Sequence, residues 1–228
     1  LGGKINWKKL KKKFKIAIDS PAAAGAGTVA KKISDHYNLL YLDTGKIYRL
    51  IGYLKIKYKS KFKNSLVKKK IRNLKFKELT NKKLLSDKIG VMASKIAKDA
   101  NIRKLVHQFQ INCAYNFPKK FNGSCLDGRD ITYKIIPDAD LKFFITASLK
   151  IRAKRRYKEL VKMGKKVDEY QVLKSIKNRD KNDYNRQISP LKKTNDSILI
   201  NTSNLTKSAC FLKIKKIIDR KLKLNGNI

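Results

Sequence analysis

The stretch Phe14-Lys-Ile-Ala-Ile-Asp-Ser-Pro-Ala-Ala-Ala-Gly-Ala-Gly-Thr28 sets the architecture. Phe14 to Ile18 reads as a short buried strand, Pro21 and the glycines break it, and apolar residues then recur at helical spacing from about Gly27 to His36. In a loop of this kind successive backbone N–H groups, together with the helix N-terminus, surround phosphate oxygens, and small side chains let the backbone approach them. The phosphate-loop pattern G-x-x-x-x-G-K-[ST] would place glycine at 20 and 25, lysine at 26 and Ser or Thr at 27. Those positions hold Ser20, Gly25, Ala26 and Gly27, so only Gly25 fits and the motif alone is a weak match.

Working outward, a second strand is predicted at Asn38 to Leu42 and a helix near Lys46 to Tyr58. Further strands fit Ser124 to Leu126, Leu141 to Thr146 and Ile198 to Asn201, with helices near Leu149 to Met163, Glu169 to Asn182 and Leu205 to Leu222. Strands separated by helices imply an α/β fold with a mostly parallel sheet covered on both faces. Residues 61 to 117 interrupt the alternation, and Leu84, Ile89, Ile96, Leu105 and Phe109 carry a helical period suited to a substrate-covering insert.

Composition sets the outer bounds. The 228 residues suit one domain with small inserts, and 42% hydrophobic content argues for a folded core. The 57 Lys and Arg against 17 Asp and Glu give a formal charge of +40, which favours polyanionic partners. The lysines run along almost the whole chain, so solvated surface explains them better than a dedicated nucleic-acid face. Lys4 to Lys15, with Trp7, Leu10 and Phe14, reads as a basic N-terminal arm over 1–13, ahead of a domain spanning 14–228. Cys113, Cys125 and Cys210 are widely spaced and form no CxxC pair, so buried free thiols in a reducing compartment are expected. No apolar run reaches the length of a membrane span and no signal peptide is visible, so the expected location is cytoplasmic.

Three further segments change the weight of the loop: Tyr41-Leu-Asp-Thr-Gly-Lys-Ile-Tyr-Arg49, Asp127-Gly-Arg-Asp130 and Arg179-Asp-Lys-Asn-Asp-Tyr-Asn-Arg-Gln-Ile-Ser-Pro190. In this order and spacing, and with Pro137 to Phe144 and Arg152 to Leu160 between them, the chain from about Lys15 to Asp219 resembles the cytidylate kinases, P-loop kinases of nucleoside monophosphates. The resemblance implies a three-layer P-loop fold with a five-stranded parallel sheet, a helical monophosphate-binding insert at about 60–117 and a small lid at about 152–166. It also implies transfer of the terminal phosphoryl group of ATP to CMP or dCMP with Mg²⁺, by a monomer with no dedicated nucleic-acid or membrane partner.

Carried over residue by residue, the resemblance puts Ser20, Pro21, Ala22, Ala23, Ala24, Gly25, Ala26, Gly27 and Thr28 around ATP. On the acceptor side it puts Thr44, Arg49, Ser94, Arg103, Arg129, Asp130, Arg179, Asp183 and Arg186 around CMP. Guanidinium forks suit phosphate oxygens, and carboxylates accept from an exocyclic amine or ribose hydroxyls. The close Arg and Asp spacing around 179–186 equally suits structural ion pairs on a helix. Arg152 and Arg156 are the candidate catalytic arginines of the lid, since phosphoryl transfer is driven by alignment and positive charge. Asp127 is the third catalytic candidate, supporting the site or helping to deprotonate or orient the acceptor, and no metal ligand is assigned.

The family loop reads Gly-Pro-x-x-x-Gly-Lys-Gly-Thr, so Ser20 replaces a glycine and Ala26 replaces the lysine that spans the β and γ phosphates. Losing a charge that acts on the transition state costs ~3 kcal/mol, a factor of hundreds in rate. Impaired turnover is therefore expected, with Lys31, Lys32 or a lid arginine as possible substitutes for the missing cation. The alternative is a catalytically inactive nucleotide-binding module of the same fold. Thr132 and Tyr133 depart from the family's usual Asp-Ile-Gly-Thr turn, and the insert is short enough to lack the small sheet of longer members.

Overall fold

The computed structural model describes residues 13 to 224. Strands β1 (Phe14–Asp19), β2 (Leu39–Asp43), β3 (Gly123–Gly128), β4 (Leu141–Thr146) and β5 (Ile198–Asn201) form one parallel sheet in the order β2-β3-β1-β4-β5. Helices α1 (Ala26–Tyr37), α2 (Thr44–Tyr58), α3 (Asn64–Arg72), α4 (Asp87–Ile96), α5 (Ala100–Tyr115), α6 (Leu149–Lys162), α7 (Glu169–Asn185) and α8 (Lys207–Leu224) complete the chain. The basic arm expected over 1–13 lies outside the described residues except for Lys13, whose ammonium donates to the Phe121 carbonyl at 2.6 Å.

The period-two alternation of each strand sorts its side chains onto two faces. Ile16, Ile18, Cys125, Phe143 and Ile145 pack with Val29 and Ile33 of α1 and Ile214 and Ile218 of α8. Ala17, Leu42 and Leu126 point the other way, against Ile47 and Ile51 of α2 and Val106 and Ala114 of α5. Three layers result, as expected. Each fully buried Ile, Leu or Phe of this core contributes roughly 1.5–3 kcal/mol over the exposed state. Ala22, on the loop after β1, packs with Ala153 and Leu160 of α6 and Val172 and Ile176 of α7. Cys113, Cys125 and Cys210 are buried and free. Burial pushes the Cys113 and Cys125 thiols up to about 12, which leaves them chemically inert at neutral pH.

Element ends differ from the sequence expectation where side chains cap the backbone. Helix α2 starts at Thr44, two residues earlier than expected, because the Asp43 carboxylate accepts from the Lys46 backbone N–H at 3.3 Å. Helix α8 starts at Lys207, two residues late, with the Thr206 hydroxyl accepting from the Ala209 N–H at 3.1 Å. Helix α7 runs on to Asn185 because its buried face passes from Val172 and Ile176 to Asp183, and the apolar period fades before the helix does. The segment between α2 and β3 holds α3, α4, α5 and three 3₁₀ turns, Lys59–Lys61, Phe76–Thr80 and Lys82–Leu85, and no strand among the described residues. Among those residues no helix is long and apolar enough to cross a membrane.

Candidate functional site

In a parallel sheet every strand ends on the same edge, and open α/β sheets bind their ligands there. Here β1 runs into the 20–28 loop, β2 ends on Asp43, and β3 ends on Asp127-Gly-Arg-Asp130. Register places Asp43 beside Asp127 and Asp19 beside Gly128. Gly128 is demanded by this packing, since a Cβ there would overlap the Thr44 hydroxyl, which donates to the Asp127 carbonyl at 2.8 Å.

A cleft opens between α2, α4, α5, α7 and the end of β3. Its walls hold Thr44, Arg49, Ser94, Arg103, Arg129, Asp130, Arg179, Asp183 and Arg186, so every acceptor-side residue expected from sequence comes to one place. Arg103 pairs with Asp130, both nearly buried. The Arg129 Nε donates to Asp183 at 2.7 Å, and Arg186 lies 3.9 Å from the other oxygen of the same carboxylate. Against the cost of burial, Arg129, then Arg179 and Arg186, hold the Asp183 carboxyl below its ordinary range. Arg49 donates to the Leu84 carbonyl at 2.6 Å and to the Ser86 carbonyl at 3.2 Å. Arg179 is half-buried, and enclosure, then the neighbouring Arg49 and Arg129, lower it to about 10. Five arginines thus face two carboxylates in one cleft. Ser94 Oγ, Arg179 Nε and Arg186 Nη2 are enclosed there without a partner.

The loop on the other side of β3 is built from backbone. Ala23 and Gly25 adopt left-handed φ of 59° and 87°, and Gly25 caps α1 with no side-chain bond. The loop's positive φ values fall at 23 and 25, so Ser20 can stand where the family has glycine without αL strain; its N–H donates to the Gly128 carbonyl at 3.2 Å. Pro21, Ala22, Ala24 and Ala26 are buried, whereas Gly27 and Thr28 reach solvent. Ala26 contributes no polar atom. Beneath Gly27 lie the Tyr41 hydroxyl, which donates to the Gly27 carbonyl at 3.3 Å, and the buried Asp127 carboxylate. Burial and then Asp43 push the Asp127 carboxyl well above its usual range, and its Oδ1 has no partner.

The two arginines of α6 expected from sequence to be catalytic are already engaged. Arg152 donates to the Ala22 carbonyl at 2.8 Å and lies 2.6 Å from Asp180, whose other oxygen accepts from the Ala22 N–H at 3.1 Å. Arg156 donates to the Leu85 carbonyl at 2.7 Å, to Asp87 at 2.8 Å and to Glu159 at 2.9 Å. Arg155, between them in sequence, donates to the Thr202 hydroxyl at 2.9 Å and to its carbonyl at 2.6 Å.

Sequence reasoning assigned no role to Asp19, Asp87 or Asp180. Asp19 accepts from the Ile131 N–H at 2.8 Å, the Thr132 N–H at 2.9 Å and the Thr132 hydroxyl at 2.6 Å, and burial outweighs these bonds to raise it to about 6. That tie explains the unusual Thr132: the 131–135 segment makes one π-helical turn fastened to the end of β1, while the Tyr133 hydroxyl donates to the Pro190 carbonyl. The available signal was the run of acids at strand ends.

The family model described as cytidylate kinase matches residues 16–220. The chain is 43% identical over 211 residues to a cytidylate kinase of Bartonella henselae, covering 91% of this chain and 95% of that one. It is 38% identical over 221 residues to a cytidylate kinase of Thermosipho melanesiensis, covering 92% and 99%. A cytidylate kinase of Mesomycoplasma hyopneumoniae is 36% identical over 225 residues, covering 92% and 96%. Among solved structures, an uncharacterized protein from Eubacterium ventriosum superposes with a TM-score of 0.52 at 19% identity, over 90% of this chain and 98% of that one, a likeness of fold.

Proposed function

This chain belongs to the cytidylate kinase family, whose reaction is phosphoryl transfer to CMP, and we propose that it moves the terminal phosphoryl group of ATP to CMP or dCMP. In this reading the 20–28 loop cradles the donor and the arginine cleft takes the acceptor. The observation that carries it is the surplus of charge and unmet hydrogen bonds: of five enclosed side-chain atoms without partners among the described residues, Ser94 Oγ, Asp127 Oδ1, Arg179 Nε and Arg186 Nη2 line the two halves of one site. Enclosed polar groups without partners are costly, and a nucleotide supplies the missing partners.

Arg49, Arg129 and Arg179 would bind the acceptor phosphate, a dianion that offsets their mutual repulsion. Asp130, oriented by Arg103, accepts from the exocyclic amine of cytosine while Ser94 meets the base edge, and Asp183 with Arg186 takes the sugar side. On the donor side, backbone N–H groups of the loop and the positive end of α1 meet the phosphates. Arg152 and Arg156 sit on α6 close to both halves, and their turn toward the phosphoryl group requires release from Asp180 and Asp87.

Mg²⁺ accompanies ATP in this chemistry. Among the described residues no group of three or more His, Cys, Asp or Glu is placed to hold a metal ion, which suits a cation carried by one or two carboxylates and the donor phosphates. Asp127, with its unpartnered oxygen, and Asp43 would hold it, and the ion would neutralise charge on the donor oxygens. In our reading the protein works as a cytoplasmic monomer in pyrimidine metabolism, without a nucleic-acid or membrane partner.

Ala26 sets the expected rate. A coupled assay with ATP, Mg²⁺ and each monophosphate should show CMP or dCMP preferred, and preference for UMP or AMP would overturn the substrate assignment. Ala26→Lys should raise kcat by roughly tenfold to several hundredfold. The same alanine favours a second reading, a nucleotide-binding module without catalysis. That reading requires CMP binding by calorimetry with no product at high enzyme concentration.

A further inference from the structure

A kinase with this loop needs a cation near the β and γ phosphates of its donor, and residue 26 does not provide one. Several cations stand nearby in sequence or in space, and most are committed. Lys31 pairs with Asp35 at 2.6 Å on an exposed face of α1, and Lys32 beside it is exposed. Arg152, Arg155 and Arg156 are each held by carbonyls, carboxylates or a hydroxyl, as described above.

Lys46 differs from all of these. It sits in the first turn of α2, where the Asp43 carboxylate accepts from its backbone N–H. Its ammonium is 4.0 Å from the other Asp43 oxygen, too long for a hydrogen bond, and both side chains are 28% exposed. Asp43 lies in register with Asp127, and Asp127 in turn abuts Gly27, the residue after Ala26. Lys46, Asp43, Asp127 and the start of α1 therefore form one contiguous edge at the ends of β2, β3 and β1.

Resting on the kinase reading, we propose that Lys46 supplies the donor-phosphate cation that Ala26 lacks, reaching the loop from the second strand-to-helix junction instead of from the first. The loosely paired ammonium leaves the edge of Asp43 to contact the β and γ oxygens, contributing charge without the backbone-anchored reach of a residue at 26. Turnover then survives the loss of the loop lysine at a reduced level.

The test combines steady-state kinetics with calorimetry on the full chain and on Lys46→Met, Lys46→Arg, Ala26→Lys and the Lys46→Met, Ala26→Lys pair. The calorimetric probes are CMP and the β,γ-methylene analogue of ATP with Mg²⁺. Lys46→Met should lower kcat by about tenfold or more and weaken the analogue by about fivefold, while CMP affinity stays within about twofold. Lys46→Arg should keep most of the activity, and adding Ala26→Lys to Lys46→Met should restore it to about the level of Ala26→Lys alone. Unchanged analogue affinity in Lys46→Met, or an equal loss for CMP and the analogue, overturns the proposal, the latter because it marks a structural role. If the parent chain turns over no monophosphate, the kinase reading falls by itself. The analogue arm still decides Lys46: weaker binding upholds it as a phosphate ligand and unchanged binding removes it.

Discussion

The arginine cleft and the 20–28 loop lie on either side of β3, yet they are made of different material. The cleft is a set of side chains, Arg49, Arg103, Arg129, Asp130, Arg179, Asp183 and Arg186, brought in from α2, α5, α7 and the end of β3. The loop is a set of backbone groups held by alanines and glycines, with its Ala22 N–H and C=O tied to Asp180 and Arg152. A site made of side chains loses its function when one residue changes. A site made of backbone keeps its shape through changes such as Ser20 and Ala26, and loses only the charge that a side chain would have added.

Three substitutions would break or sharpen this contrast. The largest effect is expected from Asp183→Ala, which strands the Arg129 and Arg186 guanidiniums in the cleft wall; removing one partner of a buried ion pair costs about 3–5 kcal/mol, read as a lower urea midpoint at unchanged slope. A loss below about 1 kcal/mol would show that the cleft is solvated and not preorganised. Arg179→Met should do the opposite to stability. The cation is enclosed at Nε, unpaired there and pressed by Arg49 and Arg129, so its removal should stabilise the fold by roughly 1 kcal/mol while CMP affinity drops about a hundredfold. Calorimetry and thermal unfolding on the same preparation would reveal whether the two effects part company. The smallest effect belongs to the loop. Ala23 sits at φ 59°, a region costing a non-glycine residue about 1 kcal/mol, so Ala23→Gly should leave CMP binding untouched and shift stability upward by up to about 1 kcal/mol. A change in CMP affinity there would mean that the two halves are less separate than their construction suggests.

How much could be read beforehand follows the same division. The strands at Leu141–Thr146 and Ile198–Asn201 were legible to the residue because short apolar runs bounded by polar turns have few alternatives. The cleft residues were legible through the resemblance of whole segments in order, since the spacing of Arg and Asp around 179–186 alone suits structural ion pairs equally well, and all nine positions line one cleft. What sequence did not disclose is partner choice over long separations. Asp180 meets Ala22 across 158 residues, Asp19 meets Thr132 across 113, and Arg156 meets Asp87 across 69. Nothing local distinguishes such an acid from a solvated one, since the choice is made by which strand ends and helix starts the sheet order brings together. Lys46 escaped notice for the same reason: inside the 41–49 segment nothing local marks it, and only the proximity of Asp43 and Asp127 sets it apart.

The turn at Leu84 to Asp87 would couple two nucleotides bound on either side of it. Arg49 holds it from the arginine cleft through the Leu84 and Ser86 carbonyls, and Arg156 holds it from α6 through the Leu85 carbonyl and Asp87. One short segment is thus the shared resting place of two guanidiniums. Any nucleotide that draws one of them away changes the free energy of moving the other. Thermodynamic reciprocity then requires that whatever factor the first ligand imposes on the second, the second imposes on the first. Coupling of that kind would run through four residues that need touch neither nucleotide.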